Sequence, residues 1–187
     1  MKKITKNGYT LVELLAVIIV LVVVGTIVSS TLVSVLRSSN KSTVTENVRK
    51  NGNYAISQMS KMIAYAQKFE GVSVDGTTYY TDCTSQAAGA LTAYNYVQIK
   101  AFDGGITTFA CTNSQIASQS STGNLSYLVD PTMDTTCYFN CTQESAAAPA
   151  KIDIFLDIKA TNSAIFSETQ ADIPFETSVV ILNSASR

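Results

Sequence analysis

The sequence predicts an α+β fold: one long N-terminal helix, apolar in its first half and amphipathic in its second, packed on a C-terminal antiparallel β-sheet. Three observations predict it. An uncharged apolar run extends from Leu14 to Leu36, apolar residues then recur at helical spacing towards Phe69, and beyond Phe69 the repeat shortens to two. The 187 residues suffice for one ordinary domain with an appendage. Hydrophobic residues make up 46% of the chain and charged residues 14%, about half the charged share of an average soluble domain, so part of the surface must meet something other than water. A formal net charge of −1 argues against a nucleic-acid binder that works by neutralising phosphates. Histidine is absent, which removes the commonest general base and the commonest zinc ligand together. Ser-His-Asp, Cys-His and HExxH chemistries are thereby excluded, and the expectation is a protein that is not an enzyme and holds no cofactor or metal.

The first element is the apolar helix. Leu14 to Leu36 is roughly 23 residues, and at about 1.5 Å per residue it reaches about 34 Å, enough to cross a bilayer core. Lys2, Lys3 and Lys6 precede it and hold the N-terminus in the cytoplasm by positive-inside logic. A cleaved secretory signal is the rival reading, with Val23-Val24-Gly25 as a passable cleavage site. The run is longer than an ordinary signal core, however, and Glu13 stands at its start, where a carboxylate drawn to mid-membrane costs about 2.5–3.5 kcal/mol.

Gly8-Tyr9-Thr10-Leu11-Val12-Glu13-Leu14-Leu15 resembles the class III leader junction of type IV prepilins and pseudopilins. The family pattern is a glycine, an aromatic residue, then Thr-Leu-x-Glu before a long apolar helix; its first mature residue is usually Phe, so Tyr9 is a departure. The resemblance implies a prepilin peptidase that cuts between Gly8 and Tyr9 and methylates the new amine of Tyr9, with the helix retained. It also implies that Glu13 pairs with the Tyr9 amine of a neighbouring subunit or of its own chain, which turns a costly isolated charge into a paired one. Gly8 fits such a junction physically, because the missing side chain lets a protease approach the backbone. Loss of the leader removes three lysines and leaves ten cations against fourteen acids, a balance of −4.

The helix continues beyond Arg37. Val44, Val48, Ala55, Met59, Met62 or Ile63, and Ala66 form an apolar stripe, with Lys41, Glu46, Arg49, Lys50 and Lys61 off it. Gly25 and Ser29-Ser30-Thr31 are weak points in the apolar half, and Gly52 costs about 1 kcal/mol against Ala, so Asn51-Gly52-Asn53 is a candidate kink. The domain division is then 1–8 leader, 9–36 membrane or filament-core helix, 37–69 amphipathic continuation, and 70–187 globular β domain with disulfides.

Strands are expected at Tyr94–Phe102, Ile106–Ala110, Leu125–Val129, Ile152–Lys159 and Thr177–Leu182. In Ile152–Lys159 the aliphatic residues fall on one face, which should meet the helix. Asp103-Gly104-Gly105 reads as a hairpin turn, and Pro131 and Pro174 as strand boundaries. Thr112–Thr122 and Thr142–Ala150, rich in Ser, Thr, Ala and Gln, read as exposed loops. The order of elements and the closing Phe175–Asn183 segment also resemble minor pilins and pseudopilins of the PilW and GspJ kind.

Cys83, Cys111, Cys137 and Cys141 all follow the spanning segment, on the side that should be oxidising, and an even count suggests two disulfides. If Thr136–Cys141 is extended, Cys137 and Cys141 point the same way about 13 Å apart and must bond outward, one to Cys83 and one to Cys111. If it turns, Cys137 closes on Cys141 and Cys83 on Cys111. The Asn-x-Ser/Thr triplets at Asn40, Asn124 and Asn140 carry no function in a chain so rich in Ser and Thr. Most of the nine tyrosines, Tyr79-Tyr80, Tyr94 and Tyr96 among them, read as strand residues with one wet edge, or as an aromatic ligand surface. Asp153 and Asp157 lie on the polar face of a strand and need no acid/base role.

The functional expectation is a structural subunit of a type IV pilus or related pseudopilus, of low-copy minor rank, with type IV pilus, type II secretion and competence systems all open. Its partners are other pilin subunits, prepilin peptidase, the assembly platform and, before assembly, membrane lipid of the cytoplasmic membrane. The alternative is a membrane- or tip-anchored binding module, an adhesin or DNA-capture subunit.

Overall fold

The computed structural model describes residues 10–84, 93–145, 148–161 and 170–182. One helix, α1 (Leu11–Ala64), runs for 54 residues, about 81 Å at 1.5 Å per residue. A meander follows, β1 (Lys68–Ser73), β2 (Tyr96–Lys100), β3 (Ile106–Thr112), β4 (Gln115–Ser120) and β5 (Leu125–Tyr127), forming a five-stranded antiparallel sheet in chain order. A second antiparallel sheet holds β6 (Asp134–Thr142), β7 (Lys151–Thr161) and β8 (Gln170–Val180). The α+β arrangement stands, but the expected single sheet is two. A period of two marks a strand and its buried face without saying which ladder the strand joins. The three-residue β5 ends the first ladder, and between that sheet and β6 run the paired amide bonds of Tyr94 and Phe139, each 2.8 Å, and Thr135 N–H donating to Ser114 O at 2.9 Å.

One core serves all three layers. Val48, Gly52, Ala55, Met59 and Ile63 form the buried stripe of α1, and Ile152, Ile154, Leu156 and Ile158 of β7 are buried in the same cluster, as the alternation of β7 requires. Val97, Ile99, Phe109 and Ile116 of the five-stranded sheet and Phe139 of β6 complete it. The candidate kink at Gly52 does not occur: the helix is unbroken there, and a Cβ on Gly52 would lie 2.2 Å from the ring of Phe175 in β8. Glycine is needed to let strand and helix close together, and its propensity cost is offset by that packing.

Other expectations change at their edges. The helix ends at Ala64, short of Phe69, because the chain joins the sheet: Gln67 N–H donates to Lys100 O at 2.8 Å, and Phe69 is buried as a strand residue. Ala66 and Phe69 satisfy both periods, so spacing alone could not separate them. The expected loop at Thr112–Thr122 contains β4, with Ile116 and Ala117 buried. Asn113 and Ser114, at φ 53° and 55°, make the two-residue turn between β3 and β4, a tight hairpin without the usual Asn-Gly signature. Pro174 sits inside β8, opposite Asp157, where it was expected to bound a strand. An edge strand accommodates a proline because one of its sides needs no amide donor.

Candidate functional site

The N-terminal half of α1 is the feature that the head domain leaves unexplained. Among the described residues none before Val48 is buried and all before Val44 are exposed, so the helix projects about 50 Å beyond the head at 1.5 Å per residue. Leu14 to Leu36 carries exposed Leu, Ile and Val all round its circumference. The helix is long and apolar enough to cross a membrane. Three of the five hydroxyls between Leu14 and Leu36 bond their own helix: Thr26 Oγ1 donates to Val23 O at 2.8 Å, Ser30 Oγ to Ile27 O at 2.9 Å and Thr31 Oγ1 to Val28 O at 2.8 Å. A hydroxyl bonded to its own helix costs little in hydrocarbon, so the expected weak point at Ser29-Ser30-Thr31 leaves the helix intact. Gly25 has open space where a side chain would stand, and with Ser29 one turn later it offers a place for another helix to come close.

Glu13 belongs to a capping box. Thr10 is the N-cap; its Oγ1 accepts from Glu13 N–H at 3.3 Å, and Thr10 N–H donates back to Glu13 Oε2 at 3.4 Å. The carboxylate therefore satisfies a backbone donor at the end of an apolar helix and complements the positive end of the helix dipole. Thr-x-x-Glu before an apolar run is the sequence signature of this cap, a role distinct from the pairing that the leader resemblance implies for Glu13. Gly8 and Tyr9, the expected cleavage and methylation positions, lie outside the described residues.

The cysteines join the two sheets. Cys83, in the segment after β1, bonds Cys141, and Cys111 of β3 bonds Cys137, each pair with Cα atoms 5.6 Å apart. Cys137 and Cys141 lie four residues apart on one face of the extended β6, so each reaches outward to the five-stranded sheet or its connection. Both links land beside the Tyr94–Phe139 bridge, where the ladders meet. Among the described residues no cluster of three potential metal ligands occurs.

The other face of the β6–β8 sheet carries the charge. Lys151 pairs with Asp153 at 3.0 Å, and Ser178 Oγ bonds the same carboxylate. Lys159 reaches Asp172 at 3.3 Å and Asp157 at 3.6 Å. Burial, then a hydrogen bond and repulsion from Asp172, push Asp157 above the ordinary carboxylate range. Asp172 is held below it, first by its bond to Asp157 and then by Lys159. Tyr138 and Phe155 stack at 4.6 Å in the middle of this face. No family model, curated protein or solved structure matches the chain.

Proposed function

We propose that the chain is a structural subunit of a type IV pilus or related pseudopilus, cut after Gly8 by prepilin peptidase, methylated on Tyr9, and assembled through α1. One observation carries the reading: a bare apolar half-helix is continuous with a half that is buried in a disulfide-linked head. A membrane anchor alone could be joined by a loop. Rigid continuity suits a subunit that leaves the membrane and packs its helix beside others. The chain would first be a single-pass protein of the cytoplasmic membrane and then part of a surface filament, with other pilin subunits and the assembly platform as partners. Copy number in sheared filaments tests the low-copy rank that the sequence suggests.

The decisive experiment is Glu13→Ala, with leader removal and membrane insertion measured alongside filament yield. Losing the carboxylate eases insertion by up to about 3 kcal/mol but leaves the Tyr9 amine unpaired in an apolar filament core, where an uncompensated charge costs about 3–5 kcal/mol. The expected result is a processed, membrane-inserted chain that does not assemble. Wild-type filament yield from Glu13→Ala, or an uncut Met1 in the exported protein, would overturn the proposal.

A further inference from the structure

The neck of the helix and the outer face of the β6–β8 sheet carry opposite charge. Between Arg37 and Lys50 four cations stand against Glu46 alone, all exposed. On the sheet face, among the described residues, Asp134, Asp153, Asp157, Asp172 and Glu176 stand against Lys151 and Lys159. Each patch thus has three charges in excess, of opposite sign. The two lysines of the face are already engaged with Asp153, Asp157 and Asp172. Lys41 and Arg49 of the neck and Glu176 of β8 make no ion pair among the described residues. Neither patch completes the other within one chain.

We propose that the neck cations Lys41 and Arg49 of one copy of this chain dock on the acidic β8 border, Asp172 and Glu176, of a neighbouring copy. The inference rests on the filament reading and deepens it by naming the contact that sets the stagger between heads. Phe175 packs on Gly52, which places Glu176 near the level of residue 52 on its own helix. At 1.5 Å per residue, Lys41 lies about 16 Å and Arg49 about 5 Å below that level. Parallel helices shifted along their axes by a distance in this range bring the neck cations to Glu176 and to Asp172, the latter already 3.3 Å from Lys159. β8 is the free edge of its sheet, with Asp172 and Glu176 exposed, and Pro174 between them discourages strand addition. Side-chain charge is what remains to recognise a neighbour. Self-complementary patches favour contact between copies over the low-copy rank the sequence suggested.

The test uses the full chain in cells that carry the processing and assembly machinery. Lys41→Glu with Arg49→Glu should lower filament yield at least about tenfold, and adding Asp172→Lys with Glu176→Lys should restore most of it, since reversed pairs attract again. Zero-length carbodiimide coupling of mixed isotope-labelled filaments should join Lys41 to Asp172 or Glu176 between subunits, and elevated salt during coupling should reduce that product. Normal yield from the neck reversal, or failure of the four-fold variant to recover, would overturn the contact while leaving the filament reading intact. Loss of membrane retention or leader removal in the neck reversal would assign these cations to anionic lipid and overturn it as well. No filaments and no leader removal from the wild-type chain would refute the filament reading itself, and the contact with it.

Discussion

The two halves of α1 share one backbone geometry and have opposite fates. From Val48 onward a narrow apolar stripe is buried against strands, and its other faces carry charge; before Val48 no described residue is buried, and from Leu14 to Leu36 the apolar surface goes all round. A helix needs a one-sided stripe when a single partner covers it, and an all-round apolar surface when it is enclosed by lipid or by other helices. Hydrophobicity in the second half is therefore spent within the chain, and in the first half it is held for partners outside it.

The largest expected effect breaks the comparison if the halves are not independent. Met59→Ala should destabilise the head by about 2–5 kcal/mol, because it leaves a cavity at a fully buried position. Leu21→Ala, in the exposed half, should leave the head's unfolding midpoint unchanged. Denaturant unfolding of the full chain in detergent, followed through the disulfide-linked sheets, measures both; an equal loss from Leu21→Ala would show that the bare half supports the head.

A smaller effect sharpens the boundary between the halves. Gly52→Ala gains about 1 kcal/mol of helix propensity but drives a methyl into the Phe175 ring, and overpacking of this kind costs about 1–3 kcal/mol. The net expectation is a modestly less stable head with unchanged helix content by circular dichroism. Combining it with Phe175→Leu should recover the loss, since the smaller side chain vacates the space. Stabilisation by Gly52→Ala alone would mean that the strand does not lie as close to the helix as described.

The smallest effect concerns the face that points away from the helix. A carboxyl whose pKa is raised by folding binds its proton more tightly in the folded state, so it favours folding at low pH and opposes it as pH rises through the folded pKa. Asp157→Asn removes that opposition and should raise the head's melting midpoint slightly at neutral pH, with no gain near pH 3. Asp172 has the opposite sign: its depressed pKa stabilises the fold above the ordinary carboxylate range and is lost as pH falls. Asp172→Asn should therefore lower the midpoint at neutral pH. Melting curves of the two variants across pH 3 to 7 separate these signs.

Much of this was legible because local chemistry is written residue by residue. The uncharged run from Leu14 to Leu36, the alternation of Ile152–Lys159 and the Asp103-Gly104-Gly105 turn each identify an element without reference to the rest of the chain. The Thr10–Glu13 capping box is equally local. What failed was what depends on distant partners. β4 is poor in strand-forming residues apart from Ile116 and is a strand because β3 and β5 flank it. Pro174 is admitted because β8 has a free side, and Gly52 reads as a flaw until Phe175 is seen against it.

The cysteines divide the same way. Their number, and the alternation that puts Cys137 and Cys141 on one face if β6 is extended, are properties of the sequence. Whether that segment extends or turns was decided by β7, which pairs with all nine residues of β6, and the choice of Cys111 for Cys137 and Cys83 for Cys141 by the place where the ladders meet. The sequence by itself determined the long helix and the strands that alternate cleanly, where the charge is missing, and how many bridges could form. Only the tertiary structure decided that there are two sheets, which bridges close them, and where along α1 the burial begins. Periodicity and side-chain type act within a few residues, whereas a ladder, a bridge or a buried face exists only when a second segment arrives to share it.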